Sequence, residues 1–568
     1  MRRTVPLHLS LLLALAACEA PATPATCTAG LDLDADGVCD GDRVDWSEDA
    51  SIDPGTSRAN VYELDPADLA EVSERGIQHA FVWPVEITGL LIPYRPFQAF
   101  MDNPDNAGAV SLLREQLGFG TFEEFYTWLG LARYPEPGMG GIYDLPIPEG
   151  HAPGDAVGAS LLQTEWGEGL TFSCATCHAS PLFGRTVVGL SNRRARANAV
   201  FLLAGELVHN MPPDAFQSLT DATAEERALY ERTLDNYGAV GAKEPEVLGL
   251  DTAVAQIGLS LGRRADDPWA TYSAEAETDP DFVELETFVA DSKPAVWWSL
   301  KYKTRWLSDG SLVSGNPIVY NLLANELGRG TDLHELSDWL ATERTTLDEL
   351  TVAVFATEPP KWTDFFGTDG IDEAEARAGQ VVFDANCASC HGEYEKGWDA
   401  ADADTLSAVD RLATTRVVYL AQTPVMDMGT DPQRAQGHGY VDRLNQLQIS
   451  LDAENVFVGQ AGYVPPPLEG IWARYPYLHN NSVPTLCALL SPPEERPTVF
   501  YQGPADDPAT DFDADCVGYP VGDAIPVVWL EDEEARFDTT VPGLRNIGHE
   551  QDLDATERAQ VIAFLKTL

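Results

Sequence analysis

Two pentapeptides carry most of the chemistry this sequence can do. Cys174-Ala175-Thr176-Cys177-His178 and Cys387-Ala388-Ser389-Cys390-His391 share the pattern Cys-X-X-Cys-His. Two thiols three residues apart project from one side of a helical turn, so each can bond one vinyl group of the same haem. The adjoining histidine is then held beneath the iron as an axial ligand. Two other uses of Cys-X-X-Cys compete. A structural zinc wants two further ligands nearby, and a redox disulfide does not call for the trailing histidine. The pattern therefore points to two covalently bound haem c groups, one held by Cys174, Cys177 and His178, the other by Cys387, Cys390 and His391.

The sixth position on each iron decides function. Occupied, it suits electron transfer; open, it admits peroxide or dioxygen. The histidines that could fill it are His79, His151, His209, His334, His438, His479 and His549, and the nearest methionines downstream of the second motif are Met426 and Met428. His209 is the nearby downstream histidine for the first motif. A lone histidine is more often structural than a ligand, so context must choose among them.

Elements must bring these groups together. Asp372-Glu373-Ala374-Glu375 reads as a capping box opening a helix through Ala378, Gly379, Val382 and Phe383 toward Cys387. Asp554-Ala555-Thr556-Glu557 opens another, with Val561, Ile562, Leu565 and Leu568 on one face. A helix leading into Cys-X-X-Cys-His and an amphipathic C-terminal helix together resemble the cytochrome c fold, in which the two cross at a small residue and an aromatic, here Gly379 and Phe383. Earlier, Phe122–Leu131 and Thr223–Leu234 read as amphipathic helices, and Pro359-Pro360 marks a boundary.

The N-terminus speaks to compartment. Arg2 and Arg3 precede an apolar run from Leu7 to Ala17, too short to span a bilayer but suited to a signal peptide. It ends in Leu15-Ala16-Ala17-Cys18, which resembles the lipobox of bacterial lipoproteins and makes Cys18 the lipidation site; the other reading is an ordinary signal peptide. Export agrees with haem c, which is attached outside the cytoplasm. Of nine cysteines, one goes to lipid and four to haem. The remaining four are an even number in an oxidising compartment, and nearest-neighbour pairing gives Cys27–Cys39 and Cys487–Cys516 among three possible arrangements. Residues 18–75 read as a stalk opened by Ala-Pro-Thr repetition. Within it, the alternating aspartates from Asp32 to Asp40 before and after Gly37 resemble the short calcium repeats of thrombospondin type 3 modules, or else form an acidic turn.

Ninety acidic residues against 36 basic ones give a formal charge of −54, which disfavours a nucleic-acid binder. The excess reads either as a solvated acidic surface or as a field that steers a cationic redox partner.

Three further segments carry a family resemblance: KPAVWWSLK at 293–301, GIWARYPYLHNNSVPTL at 470–486 and PGLRNIGHE at 542–550. With the two haem motifs, they resemble the di-haem family of rubber oxygenase-like cytochromes, itself similar to bacterial di-haem cytochrome c peroxidases, over residues 80–568. The resemblance implies a bis-histidine second haem whose distal ligand matches His549, with His479 as the alternative. It implies a first iron kept for dioxygen, and it places Trp297 and Trp298 near that haem, as a distal-pocket wall or an electron relay; as plain residues they are core. Arg193, Arg194 and Arg196 read as an exposed cationic face, or as partners of haem propionates.

The expected fold is mainly α, with two cytochrome c-like haem domains bearing long irregular insertions. The expected limits are 1–17 signal, 18–75 stalk, 76–362 first haem domain and 363–568 second. The expected function is haem oxidoreduction, peroxidase- or oxygenase-like, with a reactive first haem and a relay second haem; the alternative is a non-enzymatic di-haem electron carrier. Its partners would be a redox protein such as a small cationic cytochrome and a small oxidant or apolar substrate. No nucleic acid is expected, and membrane contact only through the lipid.

Overall fold

In the computed structural model, the described residues are 43–273, 285–437 and 442–568, apart from the side chains of 207–209. The signal segment, Cys18, the Cys27–Cys39 pairing, the aspartate repeat and His438 lie outside them, as does the side chain of His209. No helix among the described residues is long and apolar enough to cross a membrane.

Two helix pairs frame the molecule, and each meets at a glycine. Pro66–Phe81, capped by Asp65 on Ala67 and Asp68 N–H, lies along Arg344–Ala356. A Cβ on Gly76 would collide with the Glu349 carbonyl. In the second half Glu373–Asn386 crosses Ala555–Leu565, and a Cβ on Gly379 would collide with the Gln560 carbonyl. Phe383 packs on Phe564 beside that crossing, with ring centroids 5.2 Å apart. The C-terminal helix carries the reciprocal cap expected of Asp554 and Glu557, and buries Val561, Ile562 and Leu565. Asp372 caps its helix alone, through Ala374 and Glu375 N–H; no reciprocal bond from Glu375 is made. The two amphipathic stretches form helices Phe122–Trp128 and Ala224–Tyr237, started by Thr121 and Thr223.

The class is mixed rather than clearly α: 44% helix with 11% strand. The strands are short runs that pair antiparallel, some with a neighbour in sequence and some with a distant segment. Gly167–Phe172 sits between Ile92–Pro93 and Ala159–Thr164 in a three-stranded antiparallel sheet that leads into the first motif. Each motif is also followed by a strand of a small antiparallel pair, Ala179–Leu182 with Arg185–Val188 and Glu393–Lys396 with Thr415–Val418.

The helix Pro66–Phe81 runs through the boundary expected at residue 75. Val61, Tyr62, Leu64 and Val72 pack against Val352, so these stalk residues are already part of the packed body. The halves also interlock: strand Leu312–Ser314 pairs with Val456–Phe457. Cys487 and Cys516 form a disulfide, with Cα atoms 5.0 Å apart.

The glycine crossing can be tested directly. In an open helix Gly→Ala stabilises by about 1 kcal/mol. At the Glu373–Asn386 crossing the added methyl must push two helices apart, so Gly379→Ala is expected to destabilise by about 1–3 kcal/mol in chemical denaturation. A stabilised variant would contradict this packing.

Candidate functional site

The local fold of the first motif follows from its hydrogen bonds. Residues Ala175–His178 make one helical turn, in which the Cys174 carbonyl accepts from Cys177 and His178 N–H. The turn is held from outside by Asn192, whose side-chain amide donates to the Thr176 and Gly130 carbonyls. The His178 carbonyl accepts from Gly189 N–H at 2.7 Å, and the Gly189 carbonyl accepts from Trp297 N–H at 3.0 Å. Gly189 has φ +83°, and a Cβ there would press on Trp297 and Trp298. A glycine thus ties the tryptophan pair to the motif.

The two tryptophans face different ways. Trp297 lies beside the His178 imidazole, with ring centroids 5.3 Å apart. Trp298 is fully buried in the other large apolar cluster and donates its indole N–H to the Glu469 carbonyl at 2.8 Å. Burial pushes the His178 imidazole down to about 4, while the Ala295 carbonyl favours the protonated form. Nδ1 of His178 nevertheless has no hydrogen bond of good geometry.

At the second motif, the Glu373–Asn386 helix delivers Cys387, and Ala388–His391 makes the turn. The His391 Nδ1 lies 2.8 Å from the Pro466 carbonyl. A carbonyl can only accept, so Nδ1 carries the proton and Nε2 is left with its lone pair. Burial pushes this imidazole down to about 4, with smaller downward contributions from His549 and Arg474. Tyr394 braces the arrangement: its hydroxyl donates to the His391 carbonyl at 2.8 Å and accepts from Leu468 N–H at 2.6 Å.

His549 comes to the same place from the far end of the chain. Its ring centroid stands 6.3 Å from that of His391. An ion bonded at about 2 Å to each of two facing ring nitrogens would span such a gap. His549 adopts φ +53°, is anchored through its N–H on the Met428 carbonyl at 2.8 Å, and follows Gly548, which is wedged against Gly429 and Thr430. Its Nδ1 is buried without a partner, and burial lowers its pKa.

One continuous cavity of about 690 Å³ is lined by all four motif cysteines, His178, His391, His479, His549 and Trp297, but not by Trp298. That volume suits a sizeable organic ligand. The four motif cysteines are not disulfide-bonded. Among the described residues no cluster of three or more His, Cys, Asp or Glu side chains is arranged to hold a bare metal ion. Paired thiols, neutral imidazoles and a cavity between them fit a group that brings its own metal.

The other candidates are accounted for by their neighbours. His479 lines the cavity but stacks on Tyr463 at 3.9 Å. His79 pairs with Glu349 at 2.9 Å, His151 lies near Asp155, and His334 stacks on Trp269. Met426 places its sulfur 3.3 Å from the Cys390 sulfur. The exposed cationic face expected of Arg193, Arg194 and Arg196 is not found at Arg193. That residue is 5% exposed, donates to the Tyr475 and Ala473 carbonyls, and stacks over the Tyr475 ring. Arg194 and Arg196 reach Asp532 and Glu534. Arg193 is buried because the 473–475 segment needs donors for its carbonyls, while Arg194 and Arg196 also donate to the Gln502 and Trp128 carbonyls.

Sequence reasoning missed the Pro466 carbonyl, Tyr394 and Arg474. Arg474 stands in the GIWARYPYLHN segment, so proximity to His479 was a usable signal. Nothing in the sequence marks Pro466 or Tyr394.

A family model described as RoxA-like, cytochrome c-like matches residues 462–501, the stretch holding Pro466, Arg474 and His479. Two curated proteins of Sinorhizobium fredii (strain NBRC 101917 / NGR234) are similar. Uncharacterized protein y4iJ is 30% identical over 271 residues, covering 37% of this chain and 41% of that protein. Uncharacterized protein y4iM is 27% identical over 201 residues, covering 32% and 42%. The matched stretches thus span about two fifths of each relative. The cytochrome c-like match supports a haem-binding cytochrome of RoxA-like type. None of these matches concerns a peroxidase.

The bracing of His391 gives a prediction. Tyr394→Phe removes the acceptor for the buried Leu468 N–H. It is expected to cost about 1–3 kcal/mol of stability, read by denaturation. An unchanged midpoint would show that Tyr394 does not hold the 466–468 loop.

Proposed function

We propose that this protein is an exported c-type cytochrome that holds two haem groups and works as a haem oxidoreductase. The observation that carries the reading is the shared cavity: both Cys-X-X-Cys-His motifs line it, their thiols are free, and His549 faces His391 across it. In this reading Cys174 and Cys177 tether one group and Cys387 and Cys390 the other. His178 and His391 would each give one nitrogen to the metal of the nearer group, and His549 would give a second at the C-terminal group, with His479 as the lesser alternative. When bound, haem supplies one-electron chemistry and an iron that can take dioxygen or peroxide wherever an axial position is open.

The chain's own residues divide the work. Burial keeps His391 neutral, and the Pro466 carbonyl accepts the hydrogen bond from its Nδ1–H, which leaves Nε2 to bind. His391 and His549 would hold the second group for electron relay, and the first group, for which no described side chain offers a motif-borne second ligand, would be the one open to reaction. Trp297 and Trp298 are adjacent in sequence, one beside His178 and one in the packing around Glu469 and Gly470. They act as a wall of the first site and as a path between the centres. The substrate is peroxide or an apolar molecule open to oxygenation. Arg2 through Cys18 export and lipidate the chain, which would then face the periplasm or the cell surface on a lipid anchor. An electron-exchange protein is the expected partner, a small cationic cytochrome being favoured by the charge of −54. Calcium at the aspartate repeat would be a separate, structural binding event.

Alkaline pyridine spectra of the purified protein test the reading. They are expected to show haem c at two groups per chain, with Cys174→Ser and Cys387→Ser each removing one. A value of one, or haem that extracts into acidified acetone, contradicts it. Holoprotein inert to peroxide, dioxygen and cyanide in every redox state would leave a di-haem electron carrier instead. Cys18→Ser is expected to abolish detergent-phase partitioning of the wild-type protein; a wild type that already partitions as a water-soluble protein contradicts the lipid anchor.

A further inference from the structure

The cysteines and histidines do not account for a set of cations in the same cavity wall. Lys293, Lys303 and Arg474 all line it. Lys303 is 7% exposed, and its ammonium makes no hydrogen bond or ion pair among the described residues. Burial pushes it down to about 7, and the charged group acting on it is another cation, Arg474. The Arg474 guanidinium donates one bond, from Nη1 to the Pro467 carbonyl at 2.8 Å, while its buried Nε has no partner. Lys293 donates to the Pro476 carbonyl at 2.7 Å and the Arg474 carbonyl at 3.3 Å, and Arg193 holds the adjacent carbonyls from behind.

Four basic side chains thus gather at or beside residues 473–476, and none makes an ion pair among the described residues. In a chain with 90 acidic residues and 36 basic ones, this is a local inversion of the overall charge. A buried ammonium without a counter-charge is costly, and neighbouring cations raise the cost. Arg434, also in the wall, shows the contrast: Asp309 pairs with it at 2.9 Å. The unpaired cations await an anion from outside the chain. Arg474 lies close enough to His391 to act on its proton affinity, and the Pro467 carbonyl that Arg474 binds is next to the Pro466 carbonyl that His391 binds.

We propose that Lys303 and Arg474 bind the carboxylate side arms of the haem tethered at Cys387 and Cys390, and thereby raise its reduction potential. The proposal rests on the two-haem reading above. A tetrapyrrole of this kind carries two propionates, the anions the wall lacks, and a guanidinium with a free Nε edge suits a carboxylate. Cations paired with those carboxylates favour the reduced, less positive iron.

The test uses holoprotein whose content of two haems per chain has been confirmed, which separates failure of this proposal from failure of the haem reading. Redox titrations followed optically would compare wild type with Lys303→Met and Arg474→Gln. Each variant is expected to lower the midpoint of the low-spin centre and leave the other centre near its wild-type value, with Lys303→Arg restoring it. If Arg474→Gln does not accumulate, Arg474→Lys and the Lys303 pair decide the matter. Unchanged midpoints would overturn the proposal, as would equal shifts at both centres. Titrating wild type with inorganic phosphate and with acetate distinguishes a free anion from the haem's own carboxylates. A midpoint indifferent to both is expected, and one that tracks either would overturn the assignment.

Discussion

A neutral imidazole carries one proton on two nitrogens, so whatever accepts that proton decides which nitrogen is left to bind. At His391 the acceptor is the Pro466 carbonyl, 2.8 Å away. Much of the C-terminal half serves this contact. Tyr394 ties the His391 carbonyl to Leu468 N–H and so fixes the loop relative to the motif. Arg474 holds the intervening Pro467 carbonyl. The Glu373–Asn386 helix, set by its crossing with Ala555–Leu565, brings the Cys387 turn up to this loop. With Nδ1 committed, Nε2 of His391 is the nitrogen free to coordinate, and His549 stands within a ligand's reach on the other side.

Desolvation makes the arrangement hold its charge state. The imidazoles of His178, His391 and His479 are all driven toward the neutral form by burial. Neutral imidazole is the form that binds a metal, so the enclosure that costs these groups their hydration also keeps them available as ligands near neutral pH. The four motif thiols stay unpaired in the cavity wall, whereas Cys487 and Cys516 are bonded to each other. The same enclosure explains the cation cluster. Donors were placed on the carbonyls of residues 473–476, and the leftover positive charge faces inward.

Much of this was legible in the sequence where a pattern was local and repeated. The two Cys-X-X-Cys-His motifs and the capped helices at 373 and 555 follow from spacing along one element, and the Gly379–Phe383 crossing from the resemblance of that helix pair to the cytochrome c fold. The PGLRNIGHE segment pointed to His549, yet only the fold shows the Met428 carbonyl and Gly429 that seat it opposite His391. The strands were missed because each is only two to six residues long and several pair across long stretches of chain, as Leu312–Ser314 does with Val456–Phe457. Arg193 was read as exposed because three arginines in a row of four look like a solvated face. Its burial is set by carbonyls some 280 residues away in the chain, a distance that periodicity does not report. Lys303 has no sequence signal at all.

Everything proposed for the second centre depends on His391 and His549 sharing one iron. Electron paramagnetic resonance of ferric protein, wild type beside His549→Ala, tests it most directly. Wild type is expected to give one low-spin and one high-spin signal, and the variant to lose the low-spin signal while the high-spin one persists. A low-spin signal that survives in His549→Ala would contradict it.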